Sequence, residues 1–175
     1  GNISIGAAEE NDDWPLTVKD CNINGHAENV LNKGLFLRCT ISSATDNNSN
    51  SNWNTALGNG NFKYCTIKDK TGENIGGTYE NCTFENIIGN IHGTFDISDS
   101  TISNWNVYVG GYEPNYSFKN SKLNNFSITF GYWCQGAETL FDNCTINNED
   151  FLLKLPHYSM KKPISIINSS FTSDG

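Results

Sequence analysis

A chain of 175 residues is the size of one domain. Its 11 basic and 19 acidic residues leave a formal charge of −8, which argues against nucleic acid or an anionic membrane surface as partner, since both reward positive charge. No stretch approaches the roughly 18 apolar residues of a bilayer span, so no membrane insertion is expected; the opening GNISIGAAEE lacks the charged start and apolar run of a signal peptide, and 4 Trp, 7 Tyr and 10 Phe argue against disorder.

In chain order, one six-residue pattern recurs: apolar, any residue, turn residue, Cys or Ser, any residue, apolar. It appears as VKDCNI (18–23), FLRCTI (36–41), FKYCTI (62–67), YENCTF (79–84), ISDSTI (97–102), FKNSKL (118–123), FDNCTI (141–146) and IINSSF (166–171). The motif stays fixed while 17 to 26 residues separate successive Cys/Ser positions, so each unit has a rigid piece and adjustable loops. Cys/Ser and the apolar residue two places later point the same way in a strand, and the residue between them points out. That outer residue is often Thr, as at Thr40, Thr66, Thr83, Thr101 and Thr145, a β-branched choice suited to a sheet surface.

Asp20, Asn81, Asp99, Asn120, Asn143 and Asn168 precede the Cys/Ser position. Asn and Asp tolerate left-handed backbone angles, so a sharp bend between two short strands is expected there. Arg38 and Tyr64 depart from the pattern, and those two rungs are expected to bend less cleanly. A third strand is expected between copies, as at VYV (107–109), ITF (128–130) and LKL (153–155), with Tyr108, Thr129 and Lys154 facing outward. Glycines often follow it, as at Gly110, Gly111 and Gly131. Three strands per coil of roughly 20 residues describe a parallel β-helix. Eight coils at strand spacing would stand on the order of 38 Å tall.

The bend ladder, the inward Cys/Ser and aliphatic stacks and the variable loops resemble the pectate-lyase-like superfamily, over roughly residues 15 to 172. The resemblance implies an all-β, right-handed, single-stranded parallel β-helix (a solenoid) of about eight coils, as one domain over 1–175. It is specific for architecture; the superfamily includes lyases, hydrolases, phage tail proteins and non-catalytic surface modules. The last motif ends close to the final residue, and an uncapped coil exposes a sheet edge. The expectation is therefore a piece of a longer chain, with adjoining domains capping the coil ends, or a coil covered by a partner. Phage appendages of this type are usually trimers, so a homo-oligomer is among the partners considered.

Cys21, Cys39, Cys65, Cys82 and Cys144 share one repeat position with serines, so an inward, unbridged column of small side chains is expected rather than disulfides or a metal site. Cys134, in GYWCQG, stands outside the column and is expected at the surface. The Asn-x-Ser/Thr sequons at Asn81, Asn143 and Asn168 arise from the ladder itself.

Lyases of the resembled superfamily bind calcium through clustered acids and use a basic residue to abstract a proton; related hydrolases use paired carboxylates. Asp12–Asp13 and Glu149–Asp150 read as solvated loop acids. Asp69 and Glu73 meeting Glu85 across coils is the one calcium arrangement worth naming, and no catalytic residue, metal or cofactor is assigned. His26, His92 and His157 share no repeat position. The aromatic loops carry more: GGYEPNY (110–116), GYWCQGAET (131–139) and PHYSMKKP (156–163) follow successive third strands. Stacked at one corner, they would gather Tyr112, Tyr116, Tyr132, Trp133, His157 and Tyr158. Exposed rings beside polar groups suit a carbohydrate; the competing reading is rings that cover the coil's flank or pack a subunit interface. Trp53, on the long polar loop 42–54, is a further ligand-binding candidate, and Trp105 is open between packing and binding. The leading function is a non-catalytic module that binds a polysaccharide, cell-surface glycan or receptor, placed outside the cell, on its surface or on a virion. The alternatives are a polysaccharide lyase or glycoside hydrolase, and a purely structural shaft.

Overall fold

The structure, a computed structural model, describes residues 4–6, 17–25, 30–32, 34–43, 60–71, 75–91, 93–110, 115–131, 134, 137–147, 149, 151–155 and 161–172. Nineteen strands run through them in chain order: β1 (Ser4–Gly6), β2 (Thr17–Lys19), β3 (Asn22–Gly25), β4 (Val30–Asn32), β5 (Leu35–Leu37), β6 (Thr40–Ser43), β7 (Asn61–Lys63), β8 (Thr66–Thr71), β9 (Gly77–Glu80), β10 (Thr83–Ile91), β11 (Phe95–Ser98), β12 (Thr101–Val109), β13 (Asn115–Lys119), β14 (Lys122–Phe130), β15 (Glu138–Asp142), β16 (Thr145–Asn147), β17 (Phe151–Lys154), β18 (Ile164–Ile167) and β19 (Ser170–Thr172).

Every strand lies parallel to its neighbours, and consecutive motif copies stack in register. The strands before the motif's turn residue form one sheet in the order β2-β5-β7-β9-β11-β13-β15-β18. Those after it form a second, in the order β3-β6-β8-β10-β12-β14-β16-β19, with β17 also on β14. The molecule is therefore a parallel β-solenoid. The eight copies supply eight rungs of the first face, but the long second sheet is fully wound over only about five turns, from β8 to β17, so complete coils number fewer than the motif count.

The bend before each Cys/Ser is left-handed in all eight copies, with φ between 49° and 57°. Arg38 (φ 51°) and Tyr64 (φ 55°) bend like the rest, which corrects the expectation of slack at those rungs. Stacking overrides local preference: Arg38 N–H donates to the Lys63 carbonyl at 2.9 Å and Tyr64 N–H to that of Glu80 at 3.0 Å, as Asp20 N–H does to Leu37. A non-glycine residue held there costs of order 1–3 kcal/mol. Arg38 offsets part of this with two bonds to the Asp20 carboxylate, at 2.7 and 2.8 Å, and that guanidinium holds the Asp20 carboxyl below its usual range.

A second ladder accompanies the first. Asp69, Asn86, Asn104 and Asn125 each sit five residues after a bend residue and are left-handed too, at φ 45–56°. They bend β8, β10, β12 and β14 without interrupting them, so in the central turns the second and third faces are one nine-residue strand rather than two. Their side chains link along the stack: Asn86 to Asp69, Asn104 to Asn86 and Asn125 to Asn104, at 2.8–2.9 Å. Asp69, weighed as a calcium ligand, thus serves in this ladder; Glu73 lies outside the described residues. In the first ladder Asn143 donates to Asn120 at 2.9 Å and Asn120 to Asp99 at 3.1 Å.

Inside the coil, Cys39, Cys65, Cys82, Ser100, Ser121 and Cys144 form the expected buried column, and no disulfide joins any cysteine. Its chemistry is more than size. At four of these positions the N–H is accepted by the next rung's side chain: Cys39 by Cys65 Sγ at 3.4 Å, Cys82 by Ser100 Oγ at 3.0 Å, Ser100 by Ser121 Oγ at 3.2 Å and Cys144 by Ser169 Oγ at 3.0 Å. Ser100 and Ser121 hydroxyls in turn donate to carbonyls two residues back, at 2.6 and 2.7 Å. Cys21 departs from the expectation and is exposed, because it stands on the first motif rung and no other described rung covers it on its far side. Burial pushes the Cys39 and Cys144 thiols up.

Aromatic stacks fill the remaining volume. Phe36, Phe62 and Tyr79 lie ring on ring at 4.8 and 4.7 Å, and Phe118 and Phe141 at 4.9 Å. Ile97 interrupts that column, and in the same turn Trp105 enlarges another: Trp105 stacks on Phe126 at 6.0 Å, and Phe126 on Phe151 at 5.8 Å. One turn below, the sizes are reversed, with Tyr79 in the first column and Ile87 in the other. Each turn thereby keeps a similar filling, as close-packed interiors require.

Asn120→Ala should cost about 1–2 kcal/mol, from left-handed strain together with two lost ladder bonds, and Asn120→Gly less, because glycine accepts the bend. Urea unfolding of the two variants checks the order; equal stability of Asn120→Ala and wild type would contradict it. Native protein without reductant should show Cys21 reacting fast with a thiol reagent, and Cys39, Cys65, Cys82, Cys134 and Cys144 reacting only on unfolding. A disulfide between any of these would contradict the column.

Candidate functional site

The outer surface of the third face has a composition unlike the other two. Its residues alternate in and out along the second halves of β10, β12 and β14 and along β17. Ile87, Trp105, Phe126 and Phe151 point in, followed by Val107, Ile128 and Leu153. Two registered columns point out: Ile88, Asn106, Ser127 and Leu152, then Asn90, Tyr108, Thr129 and Lys154. Tyr108, Thr129 and Lys154 occupy the outward register expected of them. Trp105, left open between packing and binding, is 1% exposed and is a core residue.

Charge separates the faces. The first carries Lys63, Glu80, Asp96, Lys119 and Asp142, with Lys63 and Glu80 paired at 2.6 Å and Lys119 3.8 Å from Asp96. The second carries Lys68, Glu85 and Lys122. Among the eight outward positions that β10, β12, β14 and β17 give the third face, Lys154 is the one charged residue. Exposed there are Ile88 (53%), Tyr108 (42%) and Leu152 (56%), interleaved with Asn90, Asn106, Ser127 and Thr129. Ser127 donates to the Asn106 side-chain carbonyl at 2.9 Å, linking two rungs.

Tyr108 is held in a particular pose. Its phenol end lies over Gly131 on the next turn: a methyl group at Gly131 would collide with the Tyr108 hydroxyl and Cζ and lie 2.9 Å from Cε1. Gly131 N–H donates to the Val109 carbonyl at 2.9 Å, which carries the ladder past the end of the strand. The ring thus lies against backbone and stays two-fifths exposed.

Of the loop candidates, Tyr116 is corrected. It belongs to β13, alternates inward with Phe118, and is 1% exposed, its ring 4.8 Å from Phe95. Burial, and then the adjacent Cys134, push its phenol up. Cys134, expected at the surface, is fully buried, and its Sγ donates to the Val109 carbonyl at 2.9 Å. Thr139 follows Phe95 and Tyr116 in the same inward column, and Cys134 and Ala137 of the segment before it are buried as well. Turn bonds from Cys134 N–H to Gly131 and from Ala137 N–H to Cys134, at 3.2 and 3.0 Å, anchor this segment. Tyr112, Tyr132, Trp133, His157, Tyr158 and Trp53 lie outside the described residues, as do His26 and His92.

Among the described residues no cluster of three or more His, Cys, Asp or Glu side chains is arranged to hold a metal ion. The chain matches no known family model, no curated protein and no solved structure.

Buried phenols give the fold an alkaline limit. Tyr79 is held protonated well above the usual phenol range by burial, its hydroxyl donating to the Gly76 carbonyl at 2.8 Å, and Tyr116 is raised by burial too. A raised folded pKa contributes stability that is complete below the unfolded value, near pH ~10 for tyrosine, and declines as pH rises above it. Phenolate absorbance, read by difference against Tyr79→Phe and Tyr116→Phe, should show both rings ionising only as circular dichroism is lost. Reversible ionisation of either ring in folded protein would contradict its burial.

Proposed function

We propose that this chain is a non-catalytic recognition module of the pectate-lyase-like type, binding a polysaccharide or cell-surface glycan through its third face and the segments that follow it. The observation that carries the reading is the composition of that face. At its eight outward positions on β10, β12, β14 and β17, exposed apolar side chains, amides and hydroxyls alternate with a single charge. Sugars present apolar C–H faces and hydrogen-bonding edges together, and such a surface matches both.

Position in the chain supports the same reading. The segments holding Tyr112, Tyr132, Trp133, His157 and Tyr158 run on from β12, β14 and β17, the strands that build this face. A module of this kind belongs on a cell surface or a virion. One ring stacked on a sugar contributes on the order of 1 kcal/mol, so a single copy binds weakly, and several copies in a homo-oligomer would supply avidity.

The protein displayed in many copies on beads should retain a glycan from an array of plant and bacterial polysaccharides. Retention should fall about tenfold or more when Tyr132 and Trp133 become Ala, with circular dichroism unchanged. Loss on replacing Trp53 instead would move the site to the 42–54 loop. New reducing ends or unsaturated products would promote the lyase or hydrolase reading, and a chain that retains no glycan would favour the structural shaft.

A further inference from the structure

We infer that the ligand of the third face is an uncharged glycan, and that Tyr108, laid down over Gly131, is its stacking platform. This rests on the carbohydrate reading and narrows it to a substrate class and a residue. Tyr108 is the exposed ring described on this face, and its pose follows from what lies beneath it. With no side chain at Gly131, the phenol end settles against the backbone of the next turn. The phenol end is then supported while two-fifths of the residue meets solvent, which leaves ring surface for a sugar. Around the ring, Asn90 and Thr129 on its own column and Asn106 and Ser127 on the neighbouring one supply amide and hydroxyl groups.

Charge selects the class. Recognition of uronate, sulfate or phosphate groups calls for clustered cations, and Lys154 is the one cation among the eight outward positions around Tyr108 on β10, β12, β14 and β17. The whole chain, at −8, repels a polyanion besides. A polycationic glycan would seek carboxylates, and these columns carry none. An uncharged chain loses nothing to either effect.

Gly131 allows a test that leaves Tyr108 in place. Its φ is not in the left-handed range, so Gly131→Ala brings no backbone strain; the added methyl meets the far end of a flexible side chain and lifts the ring. The full chain, displayed in many copies, is titrated with mannan, xyloglucan and chitin oligosaccharides as neutral probes, and with polygalacturonate and alginate as anionic ones, at low and high salt. The expected result is retention of a neutral probe, unchanged by salt. Tyr108→Phe should bind like wild type, while Tyr108→Ala and Gly131→Ala should each lose about fivefold in affinity, the effect of one ring. Salt-sensitive retention of the anionic probes alone would overturn the neutral class while leaving the carbohydrate reading in force. Neutral binding untouched by both Tyr108→Ala and Gly131→Ala would overturn the platform. Binding of none of the probes by folded wild-type protein would remove the carbohydrate reading, and this inference with it.

Discussion

The left-handed residue before each Cys or Ser is the constraint on which the rest of the molecule depends. It turns the chain through a corner and takes the next residue's N–H out of the carbonyl ladder between rungs. A buried N–H without an acceptor is costly, and the side chain one rung on accepts it. Cysteine and serine both do this with one small atom, which is why they interchange in the column while no larger residue enters it. Once that bond is made the rung's height and register are set, and the outward columns follow, including the one that carries Tyr108.

The repeat was legible because its signal is local: six residues encode strand, bend and strand. The outward register of the third face was also readable, since alternation from Val107, Ile128 and Leu153 leaves few choices. The second ladder escaped notice, although its asparagines keep a constant offset of five residues from the first. Those asparagines sit inside continuous strands, where no glycine or proline announces a turn. Arg38 and Tyr64 bend against their own propensity because neighbouring rungs impose the bend.

Tyr116 and Cys134 were assigned to a surface loop on sequence position alone. Tyr116 belongs to a strand that begins one residue earlier, so alternation carries it inward. Cys134 enters the core where the column passes from Phe95 and Tyr116 to the smaller Thr139. That depends on volumes in adjacent turns, which a one-dimensional motif does not contain. The neutrality of the third face is likewise a property of columns: its residues are dispersed in the chain and become a surface only when the turns are stacked.

The exchange of sizes between columns has a mechanical consequence. In an ideal solenoid each turn touches only the next, and unfolding can unzip from an end one turn at a time. Trp105 makes those neighbour contacts unusually large, because its ring meets Phe84 on the turn below and both Phe118 and Phe126 on the turn above. A turn with Ile97 in one column and Trp105 in another cannot be deleted, duplicated or exchanged without leaving a void on one side and a collision on the other. A change of length within those three turns therefore has to match the sizes of both columns at once.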